Sequence, residues 1–203
     1  MRKIIIIGAS GFGKEVAWII DRINRITSTF EIIGFCDDAP DKQTGTFAGH
    51  PLLGKLTIKK AKHFICAIGN NRARQRVTAQ ATDAGLTPAT IIDPTAAIAP
   101  DVTIGEGTII GIGSIISVGA KLGRGVLVNH HVCVGHDTTI DDFAQVCPGA
   151  HISGWCGIGE GALLGTNAAI LPLKKMGAWS TLGIGTAALH NIPDGATVVR
   201  LKG

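Results

Sequence analysis

A period of six residues runs through the sequence from residue 91. Written in rows of six, residues 91–192 make seventeen rows, and the second residue of every row is apolar, with no break in register. These second residues are Ile92, Ile98, Ile104, Ile110, Ile116, Leu122, Val128, Val134, Ile140, Val146, Ile152, Ile158, Leu164, Ile170, Met176, Leu182 and Ala188. The sixth residue is small in nearly every row. The pattern predicts a β-solenoid, because so short a unit buries its apolar side chain only by stacking on its neighbours.

Three rows would form one coil of a triangular prism, with each row as one flat side. The aliphatic second residue then points inward, and the small sixth residue lies near a corner. Seventeen rows make between five and six coils, stacked about 4.8 Å apart as neighbouring strands are. Such a prism is filled by its own side chains, so a site on this domain is expected on its outside or between subunits.

Residues 1–90 instead alternate between strand and helix patterns. Continuous apolar runs predict three buried parallel strands, and apolar residues at helical spacing predict two helices, the second ending at Gly85. The chain is therefore expected to join an α/β, small Rossmann-like N-terminal domain over 1–90 to a parallel β-helix over 91–203. The predicted strands are Lys3–Ile7, Glu31–Cys36 and His63–Ile68, and the helices begin at Lys14 and cover 72–84.

Composition and charge narrow the class of partner. Hydrophobic residues make up 45% of the chain and charged residues 17%, which is enough apolar surface for a real core. The net charge of +4 is spread along the chain without a run of Lys or Arg, so nucleic acid is not an expected partner. No apolar stretch reaches the roughly 18 residues of a membrane-spanning helix. The five cysteines form no CxxC pair, which favours buried thiols and a cytoplasmic location.

A glycine-rich turn links the first predicted strand to the first helix. It reads GASGFG over 8–13, which is not the spacing of the dinucleotide-binding fingerprint. Glycines at such a turn bring backbone N–H groups to a phosphate at the helix N-terminus, although a tight strand-to-helix turn needs glycine without any ligand. A nucleotide site here would use Ser10, Gly11 and Gly13 of the turn, Asp37 and Asp38 after the second strand, and Asn70 after the third.

The residues with the chemistry for acyl transfer lie in the solenoid. His136 is the fourth residue of its row and points outward near a corner, and Gly154 lies one coil further along the same edge. A histidine base beside a bare backbone N–H suits acyl transfer, because the base removes the acceptor's proton and the N–H stabilises the oxyanion. Asp137 is placed to hold the imidazole tautomer. The alternatives are that His136 is an ordinary solvated residue and that Gly154 serves only a positive φ.

Six segments carry a resemblance to a known family: IIIIGASGFGKEV, GFCDD, FICAIGNN, GVLVNHHVCVGHDTTI, ISGWCGIGEGALLGTNAAILP and LGIGTAALHNIP. In this order they span nearly all 203 residues and resemble the bacterial sugar acetyltransferases of the sialic-acid O-acetyltransferase type, the NeuD/PglD-like family. The resemblance implies a left-handed β-helix, acetyl-CoA as cosubstrate with no metal, and a homotrimer with active sites between adjacent subunits. It also implies a sugar linked to uridine diphosphate, an amino sugar or a related one, as the acceptor.

Carried over by position, the resemblance implies that His136 is the general base, Asp137 its acidic partner and Gly154 the source of the oxyanion amide. Asn129 falls near the catalytic histidine. This chain carries Gln145 where some relatives have a second histidine, which bears on the acceptor and on the fit of the acyl group. The path of the CoA pantetheine and adenine is implied to run along Gly165, Thr166, Ile184 and Gly185.

Two readings from other classes remain open at this stage. In γ-type carbonic anhydrases the same β-helix binds zinc through histidines of two subunits, and His131 and His136 have the required spacing of five residues. The third histidine of that pattern should lie near Thr95, but no histidine occurs between His63 and His130. A purely structural solenoid is the other alternative, and the appended nucleotide-binding half argues against it.

Overall fold

The computed structural model describes residues 1–56 and 61–199. The chain divides into two compact units, Met1–Ile91 and a second unit that begins at Ile92. The residues after Val199, which the sequence analysis included in the second domain, lie outside the described residues. Neither α-helix in the described ranges is long and apolar enough to cross a membrane.

The first unit is built on a four-stranded parallel sheet. Its elements are β1 (Arg2–Ile7), α1 (Gly11–Ile26), β2 (Phe30–Cys36), a 3₁₀ turn (Pro40–Lys42), β3 (Thr46–Phe47), β4 (His50–Pro51), β5 (His63–Cys66), α2 (Asn71–Asp83) and β6 (Thr87–Pro88). The sheet order is β2-β1-β5-β6, and β3 pairs with β4 in a separate hairpin. The predicted buried strand is confirmed, since the last four residues of β1 are buried. The third strand ends two residues earlier than predicted. Strands β3 and β4 have two residues each and lie outside the six-residue repeat, so no pattern in the sequence predicts them.

The second unit is a solenoid of two-residue strands on three flat faces. The strands pair in parallel with those 18 residues away, as Ile116 does with Val134 and Leu122 with Ile140. The last strand is the exception, since Thr197 pairs with Thr181, 16 residues earlier. Together the two units confirm the predicted fold class, an α/β domain followed by a left-handed parallel β-helix. Face 1 has strands Ile91–Ile92, Ile109–Ile110, Leu127–Val128, Gln145–Val146, Leu163–Leu164, Thr181–Leu182 and Thr197–Val198; face 2 has Ala97–Ile98, Ile115–Ile116, Cys133–Val134, His151–Ile152, Ala169–Ile170 and Ala187–Ala188; face 3 has Thr103–Ile104, Lys121–Leu122, Thr139–Ile140, Gly157–Ile158 and Lys175–Met176.

The inside of the solenoid is filled as the repeat predicted. The second residues of the rows form a continuous apolar core, with the sixth residues packed beside them. Where the sixth residue is polar, its hydroxyl forms hydrogen bonds with the backbone. Ser114 donates to the carbonyl of Asn129 at 2.6 Å and accepts from the N–H of Val132 at 3.1 Å. Thr108 and Thr138 make the same pair of bonds. A buried hydroxyl bonded in this way joins neighbouring corners without leaving a polar atom unsatisfied.

The fifth residue of each row turns the corner in the left-handed conformation. In fourteen consecutive rows its φ lies between +54° and +70°, and half of these residues are glycine. Corner 1-2, between faces 1 and 2, has Gly113, His131, Gly149, Asn167 and Gly185; corner 2-3 has Gly119, Asp137, Trp155 and Leu173; corner 3-1 has Gly107, Gly125, Phe143, Gly161 and Trp179.

Candidate active site

His136 and Asp137 lie together at corner 2-3. The Nδ1 atom of His136 is 2.9 Å from a carboxylate oxygen of Asp137, and both side chains are partly exposed. Asp137 reaches this position because it occupies the left-handed turn residue, with φ of +56°. A carboxylate on Nδ1 holds the proton there and leaves Nε2 as the acceptor, which is the state a general base requires.

Gly154 lies against the imidazole of His136, one coil further along the solenoid. A Cβ added at Gly154 would come within 2.4 Å of Nε2, and its three nearest neighbours would all be atoms of this ring. The φ of Gly154 is outside the left-handed region, which Trp155 occupies instead at +60°. The alternative that Gly154 serves only a positive φ is therefore wrong: glycine is required because the ring of His136 approaches its Cα.

The backbone N–H of Gly154 lies near His136, the candidate base. Gly154 lies one coil beyond His136, and a Cβ added at Gly135, the residue before His136, would be 2.6 Å from the Gly154 nitrogen. The neighbouring N–H, that of Trp155, is used in the ladder and donates to the carbonyl of His136 at 2.9 Å. In the described residues no acceptor takes the Gly154 N–H. A donor without an acceptor beside a base is an arrangement that can stabilise an oxyanion.

The residues expected along the CoA path lie at corner 1-2, a full face away from His136 in the same chain. Ile184 is 76% exposed there, and an added Cβ on Gly185 would meet no atom. Gly165 is buried, and its Cβ would meet the Ile184 nitrogen at 2.7 Å, so it serves the close approach of two coils. Thr166 is partly buried, and its carbonyl accepts from the Gly185 N–H at 2.9 Å.

Asn129 also lies at corner 1-2, so a single chain does not bring it beside His136. Its carbonyl is held by Ser114 and its N–H by Val146. Gln145 lies on face 1, where its Oε1 is buried without a hydrogen-bond partner, and its amide nitrogen is 3.8 Å from the sulfur of Cys147.

The two histidines with zinc-like spacing are also separated. His131 lies at corner 1-2 and His136 at corner 2-3, with face 2 between them. Over residues 1–56 and 61–199, no group of three or more His, Cys, Asp or Glu side chains is arranged to hold a metal ion.

The first unit contains a cavity of about 580 Å³ at the C-terminal ends of its strands. Ser10, Asp37 and Asp38 line it as expected. Lys55 and Gln80 line it as well, although no sequence signal singled them out. Gly13 has another role, because an added Cβ would clash with the carbonyl oxygen of Gly8, so glycine lets α1 pack on the turn. Gly11 is exposed with open space around it, and Asn70 caps α2 by accepting from the Ala73 N–H at 2.9 Å.

Asp37 ties the glycine turn to the end of β2. Its carboxylate accepts from the Ala9 N–H at 2.8 Å and the Ala39 N–H at 3.0 Å, and the Lys42 ammonium is 3.7 Å away. Burial alone would raise the pKa of Asp37, but these two N–H groups and Lys42 outweigh it and lower the pKa below its ordinary value. Part of the predicted phosphate loop is thus occupied by a side chain of the protein itself, since Asp37 uses the Ala9 N–H.

We expect Asp37→Asn to lower the free energy of unfolding at neutral pH. Because the folded-state pKa is depressed, the stabilisation is complete above the ordinary aspartate value of about 3.9 and is lost as the pH falls through the folded-state pKa. The difference in Tm between wild type and variant should therefore shrink in acid. The control is Asp38→Asn, because Asp38 is exposed and lines the same cavity. A Tm difference that persists unchanged at low pH would contradict the role given to Asp37.

Comparison with known proteins gives matches over both units. The profile of the PglD N-terminal domain matches residues 3–81. The acetyltransferase domain of PglB from Neisseria gonorrhoeae, solved with acetyl coenzyme A, is 34% identical, with a TM-score of 0.88 over 97% of this chain and 95% of that one. A His-to-Asn variant of perosamine N-acetyltransferase from Caulobacter crescentus, solved with CoA and GDP-perosamine, is 26% identical, with a TM-score of 0.89 over 97% and 93%. WeeI from Acinetobacter baumannii is 27% identical, with a TM-score of 0.86 over 98% and 97%. A search among curated proteins found no match.

Proposed function

This chain belongs to the PglD-type family of hexapeptide-repeat sugar acetyltransferases, and from that membership we propose that it acetylates the amino group of a nucleotide-linked sugar. It is an acyltransferase that uses acetyl-CoA. The likeness to an enzyme solved with CoA and GDP-perosamine supports an amino sugar as the acceptor. Both substrates are intracellular metabolites, so the reaction is expected in the cytoplasm.

The observation that carries the proposal is the arrangement of His136 between Asp137 and Gly154. The Nε2 of His136 accepts the proton that the amino group loses as it attacks, and Asp137 stabilises the imidazolium that forms. The Gly154 N–H faces the carbonyl oxygen of the thioester, where negative charge develops during attack. His136 then carries the proton that the departing thiolate needs.

The exposed side of corner 1-2 fits a long, flexible cosubstrate. Ile184 offers an apolar surface for the pantetheine chain, and Gly185 keeps the corner open. Acetyl-CoA supplies the acetyl group as an activated thioester. In one chain this corner and His136 are separated by face 2, so the proposed site is formed where corner 1-2 of one copy meets corner 2-3 of another. The cavity of the first unit, lined by Asp37 and Asp38, is assigned to nucleotide binding.

Incubation with acetyl-CoA and a panel of nucleotide amino sugars tests the function. The panel contains UDP-glucosamine, other UDP-linked amino sugars and GDP-perosamine, with release of free CoA thiol as the readout and UDP and GDP as controls. Thiol release that requires the amino sugar supports the proposal. Thiol release at the same rate with every sugar of the panel, or at the same rate when no sugar is added, would contradict it.

A site shared between copies predicts a homotrimer in solution. Three prisms packed side by side create three equivalent clefts, each with one corner of each kind. Light scattering at micromolar concentration should give the mass of three chains. A stable single chain with full activity would contradict the shared site, because one copy keeps the two corners apart.

A further inference from the structure

Aromatic residues at the corners of the solenoid are accommodated in two ways. At corner 3-1, Phe143 and Trp179 lie over Gly125 and Gly161 of the preceding coil, where an added Cβ would collide with their rings. Phe143 is only 7% exposed as a result. These rings are packed against the coil, and their left-handed backbone is supported by that packing.

Trp155 at corner 2-3 has no glycine below it. The turn residue of the preceding coil is Asp137, whose carboxylate is engaged with His136, so the indole extends outward and is 59% exposed. Trp155 nevertheless has a left-handed backbone with φ of +60°, a conformation unfavourable for a bulky side chain. The left-handed backbone is common to the corners and is shared by the exposed Leu173 one coil further along, so it is the exposed aromatic ring of Trp155 that points to a role in function.

The indole is one wall of a cleft beside the base. Its ring centroid is 6.2 Å from that of His136, and the two rings are nearly perpendicular, at 87°. The cleft has a volume of about 410 Å³ and runs from Trp155 and Asp137 along face 3. Its floor is open because Gly157 occupies an outward position where the neighbouring coils carry Thr139 and Lys175.

The residues that line the cleft are apolar in part and polar in part. The hydroxyl of Thr139, the carboxylate of Asp141 and the ammonium of Lys175 all belong to residues of its lining. A pyranose has the same division, with C–H groups on one face and hydroxyls around its rim. Aromatic side chains give specificity and contact area to such ligands, while a few polar groups fix their orientation.

We propose that Trp155 is a specificity-determining residue that packs on the C–H face of the acceptor sugar and holds it in the face 3 cleft, whose lining includes Asp137, the hydrogen-bond partner of His136. The inference rests on the proposed function and assigns the sugar subsite. Trp155 takes no part in proton transfer.

The first test is the kinetics of Trp155→Asn, since asparagine tolerates the left-handed backbone. With the panel sugar that wild type acetylates fastest, KM for the sugar should rise roughly tenfold, while kcat and KM for acetyl-CoA change less than about twofold. The matched control is Trp179→Asn, at a corner with φ of +57°, which removes an indole from outside the cleft. The control should lower Tm and leave both KM values unchanged.

Three outcomes would overturn the assignment. An unchanged KM for the sugar would show that the indole does not contact it. A rise in KM for acetyl-CoA alone would assign the indole to the pantetheine. Dissociation of Trp155→Asn into single chains, with normal kinetics restored at high protein concentration, would assign the indole to a subunit contact.

A binding measurement keeps this inference separate from the proposed function. In a Trp18→Phe, Trp179→Phe background Trp155 is the remaining tryptophan, since the chain has three. Its fluorescence should change as UDP-glucosamine or GDP-perosamine is added and should not change with UDP or GDP alone. Such a change without acetyl transfer would uphold the sugar subsite and count against the proposed reaction. No change with any sugar of the panel would overturn the subsite even if acetyl transfer occurs.

Discussion

His136→Ala is expected to lower kcat for acetyl transfer by roughly 10²–10⁴-fold, the usual contribution of a positioned general base. The reason is that the other described imidazole at corner 2-3, that of His190, lies three coils beyond His136, on the order of 14 Å away, and cannot accept the proton at the position of Nε2. KM for acetyl-CoA should change little, because the cosubstrate is assigned to corner 1-2. Steady-state kinetics per folded chain measures both quantities.

The control for His136 is His131→Asn, which keeps a residue that tolerates the left-handed turn at φ of +54°. His131 lies at corner 1-2, so its loss should affect kcat far less than the loss of His136. Equal losses at the two positions, together with bound zinc in purified wild type, would instead support the carbonic anhydrase alternative.

Gly154→Ala is expected to lower kcat on the order of 10²-fold while leaving the fold intact. The φ of Gly154 is outside the left-handed region, and the three atoms nearest to the new methyl group all belong to the ring of His136. An exposed side chain can swing away at little cost in stability, but Nε2 then leaves its place beside the Gly154 N–H. The measurement is the rate per folded chain together with Tm.

Gly123→Ala provides the opposite pattern. Its φ is also outside the left-handed region, but its added Cβ would lie 2.6 Å from the backbone nitrogen of Asp142, which cannot move independently. This variant should lose stability and keep its rate per folded molecule. If Gly154→Ala behaved in the same way, Gly154 would have a packing role only.

A double-mutant cycle separates the two ways in which Gly154 can act. In the His136→Ala background the new methyl group no longer collides with a ring. If Gly154→Ala acts only by displacing His136, the double variant should be as active as His136→Ala. A further loss would come from obstruction of the thioester carbonyl at the N–H. A double variant more active than His136→Ala would contradict both routes.

The interior of the solenoid could be predicted from the sequence because inward positions depend only on a side chain's place within its row. Ile116 and Val134 pair across one coil for the same reason that Leu122 and Ile140 do. The handedness of the coil could not be predicted in this way, since left- and right-handed coils bury the same residues. It followed from the resemblance instead.

Residues at the corners were harder to predict because one glycine or asparagine can serve several purposes. The spacing brought Gly154 next to His136, but only the backbone angles and the position of the imidazole distinguish close approach from a turn. The same difficulty arises in the first unit. From the sequence, Asn70 could belong to a ligand site or cap a helix, and its hydrogen bond with the Ala73 N–H shows that it caps α2. The outward direction of Trp155 depends on which residue lies one coil below.

The mass of the acceptor sugar after reaction with acetyl-CoA, compared between wild type and His136→Ala, tests the central claim most directly. With wild type, an amino sugar of the panel should gain the mass of one acetyl group while an equal amount of CoA thiol is released. With His136→Ala at the same concentration of folded protein, the acetyl group should be gained more slowly by the roughly 10²–10⁴-fold expected for loss of a general base. Acetylation at the wild-type rate without His136, or no acetylated amino sugar with wild type, would contradict the account.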